Sequence, residues 1–525
     1  MATTTNTLGS RRNVAQLHAL AGVERELRGY DSTARTKYVR DFSQAFQSYD
    51  SLIDSQQLSN MLTAADVILI GDYHALAAAQ RYAASLIEER AQPGDRPLVL
   101  GMETIFARHQ HILDGWWRRE IDEHELRERI RFDTDWGYDW APFYELLVTA
   151  REHADAIYGL DCMPRDDMRK IGARDRHAVD KIAEIREKHP NAVIMVLFGE
   201  SHFAPSHLPR VLRERLPEER VLTVLQNVDA LYWRATGERQ DRVEAVRVNN
   251  NVACVFNSTP LEKYESFRLY LSGCQGETGH PDLVPTIYNL IDSLLSFLGI
   301  DRYSPHNTTQ PKFLVDLLPE VYSSASDARL KQLLLRAQVE PHKVANMLQR
   351  VEACGTVYLP SINAMYVREF QMMYAAEEAA RFLHHACRGL PWRGHPPQNL
   401  DRADRFYVRT VEHALAYFGS RVLYPARPAV RNERGGTFST KFCQRCMREA
   451  LRGDRAEFDA LAQALGYRLG SELYDAYLRG SVSRTALRRL YLAHMEKSGA
   501  AWPVLEEVLS RVSSGRKKPA GSVRS

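Results

Sequence analysis

The 525-residue sequence predicts an α/β domain, a parallel sheet flanked by helices, followed by a second, all-helical region. Three observations carry that reading. Between residues 36 and 280 short apolar runs alternate with helical patterns, which demands crossover connections and a sheet covered on both faces. The runs are nearly continuous rather than alternating, as in strands buried on both sides. Beyond about residue 280 the strong apolar segments change to helical spacing.

Taken in order, residues 1–35 read as a polar, flexible lead-in. "DVILI" (66–70) precedes a helical stretch at 75–90, and "PLVLGM" (97–102) precedes one at 106–120. "AIYGL" (156–160) leads into a charged amphipathic helix near 167–188. "AVIMVLF" (192–198) is followed by a helix from Pro205, and "RVLTVLQN" (220–227) closes the series. In the helical region, 281–512, "TIYNLIDSLLSFLGI" and "RADRFYVRTVEHALAYFG" show the 3.6-residue period. The Pro/Gly-rich "RGLPWRGHPPQ" (388–398) is the expected split between two bundles, and 513–525 is a basic tail with too few apolar residues to fold.

Composition excludes several classes. With 69 basic and 66 acidic residues the net charge is +3, so no basic excess points to nucleic acid. Seven cysteines in this length argue for reduced thiols rather than a disulfide framework. "MATTTNTLGSRRNVAQLHAL" has neither the apolar core of a secretory signal nor a lipidation cysteine, and no run approaches the ~20 apolar residues of a membrane span. The expectation is a soluble, cytoplasmic chain, compatible with a homodimer.

Parallel sheets place their chemistry outside the carboxyl ends of the strands. The first strand exits through Gly71, Asp72 and His74, and the second through Glu103. The third ends on Asp161 with Arg165 close behind. The fourth exits through Gly199, Glu200 and His202, and the fifth at Gln226 and Asn227. Any one of these alone is an ordinary loop or cap residue. Two copies of strand–Gly–acid–x–His in matching positions are harder to dismiss. Converging carboxylates repel and raise one another's pKa unless a cation, a metal or a proton offsets them. If the reading is right, His74 and His202 lie within ~5 Å of each other or of a shared carboxylate.

These segments also resemble a known family. "VILIGDYHALAAAQ", "LVLGMETIFARHQHILDGWWRREI", "WGYDWAPFYELL", "RKIGARDRHA" and "VLFGESHFAPSHLPRVL" occur in the order seen in ChaN-like haem-binding proteins, which share a superfamily with the Tiki and TraB proteins and a fold relationship with erythromycin esterases. The resemblance spans roughly residues 40–260. It implies haem or iron binding, or, by likeness to Tiki and TraB, a metal-dependent hydrolase site built on paired GxxH motifs. His74, Glu103 and His202 are the carried-over positions, with Asp72 and Glu200 beside them. Tyr73 and Tyr138 stand where a haem-ligating tyrosine would be sought. The signal peptide and lipid anchor of exported ChaN proteins are not seen here, and the helical half is not covered.

Three functions follow. A haem or small-molecule site would draw on His74, His202, Tyr73 and Tyr138, with Arg108 and Arg165 for the carboxylates and Phe106, Trp116 and Trp117 as apolar wall. A hydrolase would use His74, Glu103 and His202 for catalysis, with His74, Glu103, Glu200 and His202 around a divalent metal. Ser201 lacks the second glycine of a nucleophile elbow. A scaffold would act through the helical half. There, Tyr374, Glu377, Arg381 and His384 in "YAAEEAARFLHH" share one helix face, which reads as a surface ion-pair ladder, and Cys443 and Cys446 form a solitary CxxC.

Overall fold

The computed structural model describes residues 3–30, 37–91, 96–162, 171–238, 243–275, 281–301, 318–323, 326–387, 400–430, 439–495 and 497–514. The chain divides into two units, Glu24–Pro281 and Met1–Val23 with Asp282–Ser525. The expected bundle split at 388–398, and the tail from residue 515, lie outside the described residues.

The first unit is built on an eight-stranded sheet: β1 (Ser51–Ile53), β2 (Val67–Asp72), β3 (Leu98–Phe106), β4 (Ala156–Asp161), β5 (Val193–Gly199), β6 (Val221–Gln226), β7 (Ala245–Asn249) and β8 (Val252–Val255). Their order is β1-β7-β8-β6-β2-β5-β3-β4. From β8 to β4 all neighbours are parallel, while β7 and β1 form an antiparallel edge. The sheet is therefore parallel through its centre and mixed at one side. Every residue of β2, β3 and β5 is buried. Alternate residues of one strand serve opposite cores: Ile68 and Ile70 pack in one layer, Val67 and Leu69 in the other. That double burial is why the strands read as unbroken apolar runs.

The flexible lead-in is a misreading. Thr3–Tyr30 is a helix, and Ala15, Ala19, Leu20, Val23 and Leu27 are all buried along it. Their spacing puts them on one helical face, a pattern the polar composition masked.

The second unit is largely, not wholly, helical. Nine helices fall between Val284 and Ser514 among the described residues, the longest being Arg402–Leu423 and Arg455–Leu478. A three-stranded sheet interrupts them: β9 (Glu320–Ser323), β10 (Thr356–Leu359) and β11 (Ala364–Val367), ordered β10-β11-β9. Asn363, with φ 46°, makes the left-handed turn from β10 into β11. The surface ladder is also corrected. Glu377, Arg381 and His384 are buried on the Met372–Cys387 helix. Cys443 and Cys446 are buried and neither forms a disulfide. No helix among the described residues is long and apolar enough to cross a membrane.

Candidate functional site

Strands β2 and β5 are neighbours in register, with Asp72 paired to Gly199. Their exits therefore run side by side, and β3, on the far side of β5, brings Glu103 to the same place. The missing side chain of Gly199 is what lets the groups meet. A Cβ there would lie 3.0 Å from Glu103 Oε2, 3.4 Å from His74 Nε2 and 3.6 Å from the His202 ring.

Glu103 is the centre. His74 Nε2 lies 3.5 Å from its Oε2 and His202 Nε2 3.8 Å from its Oε1, so both imidazoles sit within reach of one carboxylate. The Gly199 amide donates to Oε2 at 2.5 Å, and Arg174 Nη2 donates to Oε1 at 2.5 Å. Arg174 also donates to both oxygens of Asp161, at 3.0 and 2.6 Å. On the outer side of each ring stands a second acid: His74 Nδ1 donates to Asp72 at 2.7 Å and His202 Nδ1 to Asp175 at 2.5 Å. The Tyr38 hydroxyl donates to the other oxygen of Asp175 at 2.8 Å, and its ring stacks on His207.

The electrostatics follow from this order. Burial alone would raise Glu103, but Arg174, with His74 and His202, holds it down at about 2. Burial pushes Asp161 up, against the pull of Arg174. A neutral imidazole with its proton on Nδ1 turns an Nε2 lone pair toward the Glu103 carboxylate; a doubly protonated ring satisfies both acids. The two Nδ1–acid bonds thus leave each Nε2 facing the Glu103 carboxylate.

A cavity of about 530 Å³ opens beside it. Its wall includes Asp72, Tyr73, His74, Tyr138, Gly199, Glu200 and Ser201. Three helices complete it, with Leu27 and Arg28 from one, Val39 and Phe42 from the second and Lys263, Tyr264 and Phe267 from the third. Tyr138 packs 5.3 Å from the His74 ring and 4.4 Å from Tyr270. Burial raises the Tyr73 phenol.

Several expected residues stand elsewhere. Glu200 does not join Glu103; Lys263 holds it at 2.8 Å. Arg108 is not on the cavity wall: its guanidinium lies over the Phe106 ring at 4.9 Å and 4.0 Å from Asp135. Phe106 and Trp116 are core residues. Arg165 lies outside the described residues. Among the described residues no group of three or more His, Cys, Asp or Glu side chains is arranged to hold a metal ion. One physical reason is that the Arg174 guanidinium already occupies Glu103, where a dication would repel it.

Sequence reasoning missed Arg174, Asp175, Tyr38 and Lys263. The first two carried a signal. On the Ile171–Lys188 helix the buried face reads Ile171, Arg174, Asp175, Ala178, Val179, Ile182, so two charges interrupt an apolar stripe. Buried charges need partners, and such a break marks a buried ion site.

The fold and the cavity define the class: an α/β domain with a ligand-sized hollow at the carboxyl ends of parallel strands. Residues 58–195 match the family described as haem-binding uptake, Tiki superfamily, ChaN, so the resemblance read from the strand-end motifs is borne out over that segment. A solved structure described as cofacial heme binding to ChaN of Campylobacter jejuni is 15% identical, and the match covers 33% of this chain and 86% of that one with a TM-score of 0.25. No curated protein matches the chain.

Proposed function

We propose that the α/β unit binds haem or a related iron porphyrin in the strand-end cavity. The observation that carries this is the aromatic cavity of about 530 Å³ with an oriented imidazole in its wall. That volume lies within the ~300–1,000 Å³ of ordinary ligand sites. The residues present fit the group. His74, its Nδ1 fixed by Asp72, or the phenols of Tyr73 and Tyr138 would serve the iron, and Arg28 at the rim would serve the carboxylates. Bound iron would supply a Lewis-acidic centre that offsets the raised pKa of the Tyr73 phenol. The family description supports the same reading.

Titration of the purified protein with ferric haem tests it. Saturable binding with a Soret band is expected, and His74→Ala, Tyr73→Phe or Tyr138→Phe should shift that band if the residue ligates iron. Absence of saturable binding would sink the proposal.

A second reading is favoured by the paired Asp–His arms on Glu103, an arrangement suited to acid–base hydrolysis without a metal. In that reading His74, oriented by Asp72, is the base facing the cavity. Ester or amide cleavage that survives chelators and is abolished by His74→Ala would support it; activity that the substitution leaves intact would not.

A further inference from the structure

The cavity has a second buried polar group, separate from the imidazole cluster. Lys263, 6% exposed, donates to Glu200 Oε1 at 2.8 Å and to the Asn227 carbonyl at 3.4 Å. Its ammonium lies 4.8 Å from the centre of the Tyr73 ring. Asp229 belongs to the same assembly: its Oδ2 accepts the Tyr264 hydroxyl at 2.6 Å, and both it and Glu200 act on the Lys263 charge. Glu200 Oε2 and Asp229 Oδ1 are buried and have no hydrogen-bond partner. Lys263 is thus paired directly with Glu200 alone; Asp229, which is not part of the cavity wall, acts on the ammonium from a greater distance, and each carboxylate keeps an oxygen without a hydrogen-bond partner. Asp72, which also acts on Glu200, adds to the negative side. Arg28, the other cation on the wall, is 80% exposed and stands 3.9 Å from Glu24.

Unsatisfied buried carboxylate oxygens are costly in a low-dielectric wall, and a positive charge nearby is the simplest compensation. The rest of the lining suits one. Tyr73, Tyr138, Tyr264 and Phe267 line it with aromatic rings, a side-chain type whose π-systems attract cations. We infer that this cavity selects its ligand by charge: the portion buried in it carries a positive centre, and Glu200 in the wall, with Asp229 outside the lining, supplies the counter-charge. Carboxylates of the same ligand are left at the rim, beside Arg28. The inference rests on the cavity being a ligand site and is met equally by a trivalent metalloporphyrin core or by an organic ammonium.

Two probe pairs test it. Gallium(III) and zinc(II) protoporphyrin differ by one charge at the core, and benzyltrimethylammonium differs by one charge from its neutral tert-butyl isostere. Affinities are measured by calorimetry for the wild type, Glu200→Gln and Asp229→Asn. The wild type should favour the cationic member of each pair by about tenfold, and either substitution should bring the ratio toward one. Equal affinities in the wild type, or a preference that both variants retain, would overturn the inference. Porphyrins that bind without discrimination leave the haem reading standing and remove this one. Discrimination between the small probes with no porphyrin binding does the reverse. If neither pair binds, both fall.

Discussion

Each unit of this chain buries a network of charges, and the two are built from different side chains. In the α/β unit one glutamate, Glu103, meets Arg174 and two imidazoles beside a cavity. In the helical unit Glu377 meets Arg381 at 3.1 Å, Arg427 at 2.8 Å and the Tyr467 hydroxyl at 2.6 Å, while Glu378 holds Arg350 at 2.7 Å and Arg381 at 3.3 Å. Arginine and tyrosine keep a fixed charge near neutral pH; histidine does not. The helical network includes one histidine, His413, but burial and the Arg381 charge push its pKa well below the usual range, so it stays neutral. The first network sets two imidazoles on one carboxylate and borders a cavity. The second ties four helices together, Pro341–Cys354, Met372–Cys387, Arg402–Leu423 and Arg455–Leu478.

The largest test of that contrast removes one acid from each network. Glu377→Ala strands Arg427 and leaves Arg381 with Glu378 alone, and should cost about 3–5 kcal/mol of unfolding free energy, read from urea denaturation. Glu103→Gln should cost clearly less, because Arg174 keeps Asp161, yet it should impair ligand binding. Equal losses would mean that both networks are structural. Next is Gly199→Ala. The added methyl meets Glu103 and His74 and should cost about 1–3 kcal/mol while displacing the imidazole. A variant that binds ligand normally would show that the close approach is not required.

The smallest effect concerns pH. The folded pKa of His413 lies below its unfolded value, so on acidification the unfolded chain takes the proton first. Its stabilisation is complete above pH ~6.5 and is lost below that, by up to ~1.4 kcal/mol per pH unit. Asp66 of the α/β unit is held low chiefly by its bond to Arg220, so its contribution is present above pH ~4 and lost only below it. The denaturation midpoint should therefore fall between pH 6.5 and 5 in the wild type, and less so in His413→Asn.

The central strands were legible because double burial leaves an unbroken apolar run, and their exits because a glycine and an acid end each motif. β1, β7 and β8 were not, since three to five residues at a sheet edge carry too little pattern. The β10–β11 hairpin was lost in "TVYLPSINAMYV", whose strand-formers lie between helices that set the local reading. Glu377 and Arg381 have the spacing of a surface pair, and spacing alone does not say whether a helix face is buried. His74, Glu103 and His202 could be named from strand position. Lys263 could not, because its partner Glu200 lies 63 residues away with no shared motif.

The pairing of Asp72 with Gly199 has a consequence for inheritance of function. The two imidazole-bearing loops are aligned by a backbone ladder whose rungs run from Val67 with Ile194 up to Asp72 with Gly199 at the cavity wall. Slippage of that ladder by one rung would turn every side chain of one strand to the opposite layer and carry its histidine out of step. Substitutions deep in β2 or β5, far from either imidazole, can thus pull the cluster around Glu103 apart.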